Sequence, residues 1–204
     1  MNIRVGYLST EVDFPAISPP AWAGKVERWY QLDLFAFALA EAVFRWRDIL
    51  PRPSRIYLAG EGASNPTDFD FVRTGAASPT RFVHTLPNIR ASSMLQVMEW
   101  SGELFSLHID PASIAFTLAE ALDHQYRAVA GETWVVHSRR SQSGSAEVNL
   151  FRVGFPEGLH WATSLAGDSA GRAANAALLE WFKAEQAPNK LWLAREWAMA
   201  KEGK

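Results

Sequence analysis

Gly167-Asp168-Ser169-Ala170-Gly171 has the G-x-S-x-G spacing that lifts a serine onto a sharp strand-to-helix turn, where its hydroxyl can attack an ester or thioester. Hydrolase chemistry then needs an acid and a histidine further along the chain. The last of the five histidines is His160, which precedes the motif. Asp168-Ser169 is better explained as the cap of a following helix, with small residues beside it. His84, His108, His124, His137 and His160 contain no i, i+4 pair, and the absence of Cys removes thiolate metal sites and disulfides. No metal or other cofactor is expected. Gly60-Glu61-Gly62 lacks the remaining Gly of a dinucleotide fingerprint and reads as a turn. Arg139-Arg140 reads as a solvated loop pair, or as a docking point for an acidic carrier protein through charge complementarity.

The composition bounds these readings. A chain of 204 residues with 48% apolar and 21% charged residues is expected to form a single domain over 1–204 with a sizeable core. A net charge of −2 gives no electrostatic reason to expect nucleic acid or an anionic membrane as partner. No apolar run reaches membrane-spanning length and no basic-then-apolar leader opens the chain, so a cytoplasmic location is expected. Nine Trp and twelve Phe are many for this size, and suit either a core of large rings or a surface that a partner covers.

The elements that would position these groups alternate. Ile3–Leu8 reads as a strand and the Pro-rich 13–24 as an ordered surface loop. Trp29, Leu32, Ala36, Leu39 and Val43 mark an amphipathic helix over 26–47, stopped by Pro51 and Pro53. Arg55–Ala59 is a second strand, and Asn65-Pro66 opens a helical turn reaching about Arg73. Further on, strands are expected over 132–137 and 147–153, a mobile Ser-rich loop over 139–146, a turn over 154–158 and a helix over 168–186. Residues 190–199 suit a strand or a helix. Strand, helix and strand in succession point to a mainly parallel sheet with covering helices.

The centre of the chain, Ser78–Leu122, is the most informative stretch. It reads as entry loop, helix, turn, strand and helix. Leu104–Ile109 alternates like a buried strand. Asp110 suits an N-cap and Pro111 the first helical position, while Ile114, Leu118, Ala121, Leu122 and Val129 share one apolar face. Ser78-Pro79, Phe82, Pro87-Asn88, Gly102 and Ala119-Glu120-Ala121, in that order and spacing, make this stretch resemble the nucleophile region of β-ketoacyl synthases, the condensing enzymes of fatty-acid and polyketide synthesis.

The resemblance places Pro111 where that family carries its nucleophilic Cys. Condensation needs a thiolate to hold the acyl chain, and two His from a second half that this chain is too short to build. The resemblance therefore implies an α/β, half-thiolase-like layer, a mainly parallel five-stranded sheet with flanking helices, that does not run condensation. Nucleophile-free relatives are chain-length factors, and small ones accompany aryl polyene pathways in bacteria. Such a subunit would form a heterodimer with an active β-ketoacyl synthase, receive through it an acyl chain on an acyl carrier protein, and shape the acyl tunnel. The resemblance assigns tunnel gating to Thr85, Leu86, Met94 and Met98, although Met94 and Met98 equally suit ordinary core packing. It assigns the partner interface to Leu104, Phe105, Ser106, Leu107, His108 and Ile109. His108 otherwise reads as a hydrogen-bonded core or interface residue. The competing readings are a serine hydrolase acting through Gly167–Gly171 and a scaffold that keeps only the fold.

Overall fold

The computed structural model describes residues 4–60, 72–73, 86–107, 113–127, 131–141, 144–154 and 191–193. Asp33 decides where the first helix begins. Its carboxylate accepts the backbone N–H of Ala36 at 2.7 Å, an N-cap that starts helix α1 at Leu34 and carries it to Trp46. The helix expected over 26–47 is thus shorter. Trp29–Gln31 form a separate 3-10 turn, and extended Leu32 breaks the run before the cap.

Helix α1 is covered on both sides. It packs on the sheet and against helix α2 (Pro87–Met98). Ala36, Ala38, Ala40 and Ala42 are fully buried, and such small side chains let helices approach closely. The Ser93 hydroxyl of α2 donates to the Ala36 carbonyl at 2.7 Å. Helix α2 starts with Pro at its first position and ends on Glu99, which adopts a left-handed conformation (φ 51°) normally left to Gly. Lys25 holds the exposed Glu99 carboxylate at 2.7 Å.

The Pro-rich segment is an ordered surface loop, as expected, and its anchor is Trp22. The indole is buried, stands 5.3 Å from the Phe37 ring, and donates from Nε1 to Glu41 Oε2 at 2.7 Å.

Five strands of five or more residues form one sheet: β1 (Arg4–Val12), β2 (Arg55–Gly60), β3 (Glu103–Leu107), β4 (Thr133–Arg140) and β5 (Ala146–Gly154). A sixth, β6 (Leu191–Leu193), adds three residues at one end, and the order is β3-β2-β4-β5-β1-β6. The sheet is mixed rather than mainly parallel. β2 pairs parallel with β3 and β4, whereas β4–β5, β5–β1 and β1–β6 are antiparallel. The cause is local. The loop expected over 139–146 is a tight hairpin, with Arg139 and Arg140 at the end of β4. Ser141 N–H donates to the Ser145 carbonyl at 2.8 Å, and Gly144 takes the positive φ of 92° that the turn requires. A connection this short can only reverse the chain.

Helices α1 and α2 cover one face of the sheet and helix α3 (Ser113–Arg127) the other. Ile56, Leu58, Trp134, Val136, Val148 and Leu150 point to the first face and join the main core. The strand expected over 104–109 is described as Glu103–Leu107, and α3 is described from Ser113. His108, Ile109, Asp110 and Pro111 lie outside the described residues, as do the turn at Asn65-Pro66, the turn over 154–158 and the helix expected over 168–186. Among the described residues no helix is long and apolar enough to cross a membrane.

Trp22→Ala removes a buried ring and orphans its Glu41 contact. Urea unfolding is expected to show a loss of about 3–5 kcal/mol. A loss below about 1 kcal/mol would mean that the loop is not anchored through Trp22.

Candidate functional site

The strand that the sequence singles out lies at the edge of the sheet. Among the described residues β3 pairs with β2 alone, in parallel register Arg55↔Glu103 through Ala59↔Leu107. Leu104 faces the main core and packs against it. Glu103, Phe105 and Leu107 alternate onto the face that α3 covers.

Phe105 ends a row that crosses five strands. The register places Tyr7 beside Phe151, Phe151 beside Val135, Val135 beside Tyr57, and Tyr57 beside Phe105. Tyr7 and Phe151 stand 5.1 Å apart, and Tyr57 and Phe105 stack at 5.0 Å with planes 19° apart. The first four are buried, but Phe105 is 37% exposed. The His124 ring of α3 meets Phe105 edge-on at 5.8 Å. In the next row Arg55 NH2 holds Glu103 Oε2 at 2.6 Å, and its guanidinium lies 5.9 Å from the Phe105 ring centre.

Tyr57 is hydrogen-bonded to His124 Nδ1. Burial, opposed by Arg55, pushes the phenol up to about 12. A phenol held protonated donates its O–H, which favours the Nε2–H tautomer of the ring. It is also a poor nucleophile at neutral pH. The spacing of Arg55, Tyr57 and Ala59 in their strand already set them on one face. That their face meets Phe105 and His124 required the strand order.

Of the residues to which the resemblance assigns gating, the three that are described do not gather at one place. Thr85 lies outside the described residues. Leu86 is exposed at the front of α2. Met94 is fully buried in the core, consistent with ordinary packing. Met98 sits at the far end of α2, about 18 Å from Leu86 at 1.5 Å per residue. There it lines an open cleft of about 250 Å³ with Lys25, Val43, Leu50, Val97 and Trp134. The cleft lies at the amino ends of β2 and β3, opposite the end where parallel strands usually present ligands. Lys25 and Arg47 are engaged there, Lys25 by Glu99 and Arg47 by the Phe44 carbonyl.

The other motifs divide. Gly167–Gly171, Gly62 and His160 lie outside the described residues. Arg139 is not a loop cation: it ion-pairs with Glu147 across the hairpin at 2.8 Å. Among the described residues no group of His, Asp or Glu could hold a metal ion.

His137 is fully buried under α3. Desolvation, with Arg139 adding to it, pulls the imidazole down to about 3. It therefore stays neutral in the folded state while the unfolded chain binds a proton below about pH 6.5. Between about pH 6.5 and 3 the unfolded state holds more protons, so stability falls as pH falls, by up to about 1.4 kcal/mol per pH unit from this group. Urea unfolding at a series of pH values is expected to show that slope, and His137→Gln to flatten it. An equal slope in the variant would contradict this.

No protein-family model and no curated protein matches the chain. Among solved structures, the fold matches a chain of the complex of a ketosynthase (ApeO) with its chain length factor (ApeC) from Xenorhabdus doucetiae. The TM-score is 0.61 at 12% identity, with 91% of this chain and 93% of the matched chain covered. At that identity the likeness is one of fold, and it extends over nearly the whole of both chains. The chain thus has the ketosynthase-like α/β fold that the Ser78–Leu122 stretch implies, with a mixed sheet in place of a mainly parallel one.

Proposed function

We propose that this protein is a non-catalytic, single-domain ketosynthase-like subunit, a chain-length factor that pairs with an active β-ketoacyl synthase in polyene or polyketide biosynthesis. The observation that carries the reading is the coincidence of a ketosynthase-like fold with a sequence that has no Cys anywhere. A condensing enzyme holds its acyl chain on a thiolate. The position where the resemblance expects that thiolate is Pro111, in the connection between β3 and α3. The solved complex of the same fold joins a ketosynthase to a chain length factor.

The strand reading adds support. A row of backbone donors and acceptors at a sheet edge is a template for another strand. In this proposal β3, with His108 and Ile109 beyond it, pairs antiparallel with a strand of the ketosynthase and joins two sheets into one. The acyl chain reaches the pair on a carrier protein bound by the partner, in the cytoplasm. Thr85 and Leu86, ahead of α2, would face the tunnel. Met94 would act by setting the position of α2 against α1, and Met98 by holding its far end.

Two measurements test the reading. Incubation with acyl-loaded carrier protein should leave the intact mass unchanged, and an ester adduct at Ser169 would instead favour the hydrolase. Co-expression with the ketosynthases of its own genome, one at a time, should yield a complex that co-elutes in size-exclusion chromatography. Leu107→Pro removes a ladder donor from β3 and should abolish the complex, while Ser106→Ala should be mild. A folded Leu107→Pro variant that still co-elutes would place the partner elsewhere.

A further inference from the structure

The side chains at the β3 edge specify what the partner strand must carry. Phe151, Val135 and Tyr57 are each flanked in their row, Tyr7 stands at its other end, all four are buried, and Phe105 ends the row at β3, the edge strand among the described residues, 37% exposed. One row away Glu103 keeps a side-chain exposure of 62% although Arg55 holds it. On the other side of Phe105, Leu107 is half-buried beside Ala59. Along the edge, the α3 face of β3 therefore presents carboxylate, aromatic ring and aliphatic side chain at successive positions.

Resting on the proposed function, we infer that the aromatic row continues into the ketosynthase partner, whose edge strand reads apolar, any, aromatic or apolar, any, basic from its N- to its C-terminus. The order follows from antiparallel pairing. The first position meets Leu107, the third meets Phe105 and the fifth meets Glu103, all on one face. Directly opposed aromatic and apolar pairs and opposite charges are the pairs that stabilise a sheet.

The same geometry disfavours a second copy of this chain. Two-fold pairing of β3 with itself keeps each face together, so Glu103 must meet a residue of the same face. Its choices are another Glu103, Phe105, Leu107 or, by sequence, Ile109. No such register offers the carboxylate a cation beyond its own Arg55, whereas a different chain can add one. An edge strand whose charge gains no further partner in self-pairing favours a different chain over a second copy.

The test measures binding of the co-purifying ketosynthase to purified variants. Phe105→Ala is expected to weaken binding at least tenfold, as truncation of a central interface aromatic does, and Phe105→Leu to weaken it less. Glu103→Gln should weaken binding at low salt, with a difference from wild type that shrinks as salt is raised. Near-ultraviolet circular dichroism checks that each variant folds. If Phe105→Ala and Glu103→Gln bind like wild type while Leu107→Pro does not bind, the edge pairs but its side chains do not select the partner. The inference is then overturned and the proposed function stands. If wild-type protein binds no ketosynthase, the proposed function falls and the inference with it. Phe105→Cys gives a chain with a single thiol. A disulfide-linked homodimer forming readily from that variant at low concentration would name a second copy as the occupant and overturn the inference.

Discussion

Burial of helix α1 is the constraint on which the other elements depend. It packs against α2, with Ala36 tied to Ser93, and over β1, β4 and β5, and Trp22 closes it from the loop side. A helix buried on several sides leaves little freedom to the elements around it. Helix α2 can approach closely only because Ala91 and Ser93 are small, and the Ser93–Ala36 hydrogen bond holds their relative height. The position of α2 in turn places the turn at Glu99 and the start of β3. The edge strand is thus held from within the core, with Leu104 as its inward contact.

The two faces of the sheet divide the work. The α1–α2 face is apolar, with Phe35, Phe37, Trp22, Trp46 and Trp134 among aliphatic side chains, and it supplies hydrophobic stabilisation. The α3 face mixes aromatic rings with buried polar groups. Tyr7 donates to Asn149 at 2.5 Å, Gln125 bonds both Thr133 and the Gly131 carbonyl, and neutral His137 lies beside them. Polar groups in such a setting constrain geometry more than they add stability. That face meets solvent at the Phe105 end, where a ring stacked on Tyr57, a histidine edge and an Arg–Glu pair come together.

Much of this was legible in the chain. The strands at 55–59, 132–137 and 147–153 were legible close to their observed places, the last of them from its alternation, and the stretch from Pro87 to Leu122 showed a helix, a strand and a helix in the order found. Three features were not legible. Strand direction is one, because alternation is the same in parallel and antiparallel neighbours. The Ser141–Ser145 hairpin that reverses the sheet reads as a polar loop. The start of α1 is another: the apolar period continues upstream of Asp33 through Trp29 and Leu32, and only the cap hydrogen bond ends it. The third is the site itself. Arg55, Tyr57, Phe105 and His124 come from three elements far apart in sequence, and nothing in their local spacing announces that they meet. Met94 shows the converse. A flexible apolar residue near a presumed tunnel has the same local sequence signature as one that fills a core.

The central claim is that the edge of β3 is completed by a strand of a ketosynthase. Hydrogen–deuterium exchange of the Glu103–Leu107 amides, with and without the co-purifying ketosynthase, tests it most directly. The account predicts slower exchange across this strand in the complex, because edge N–H groups enter a ladder, with little change in α1. Unchanged exchange in β3, together with protection at another surface, would contradict it.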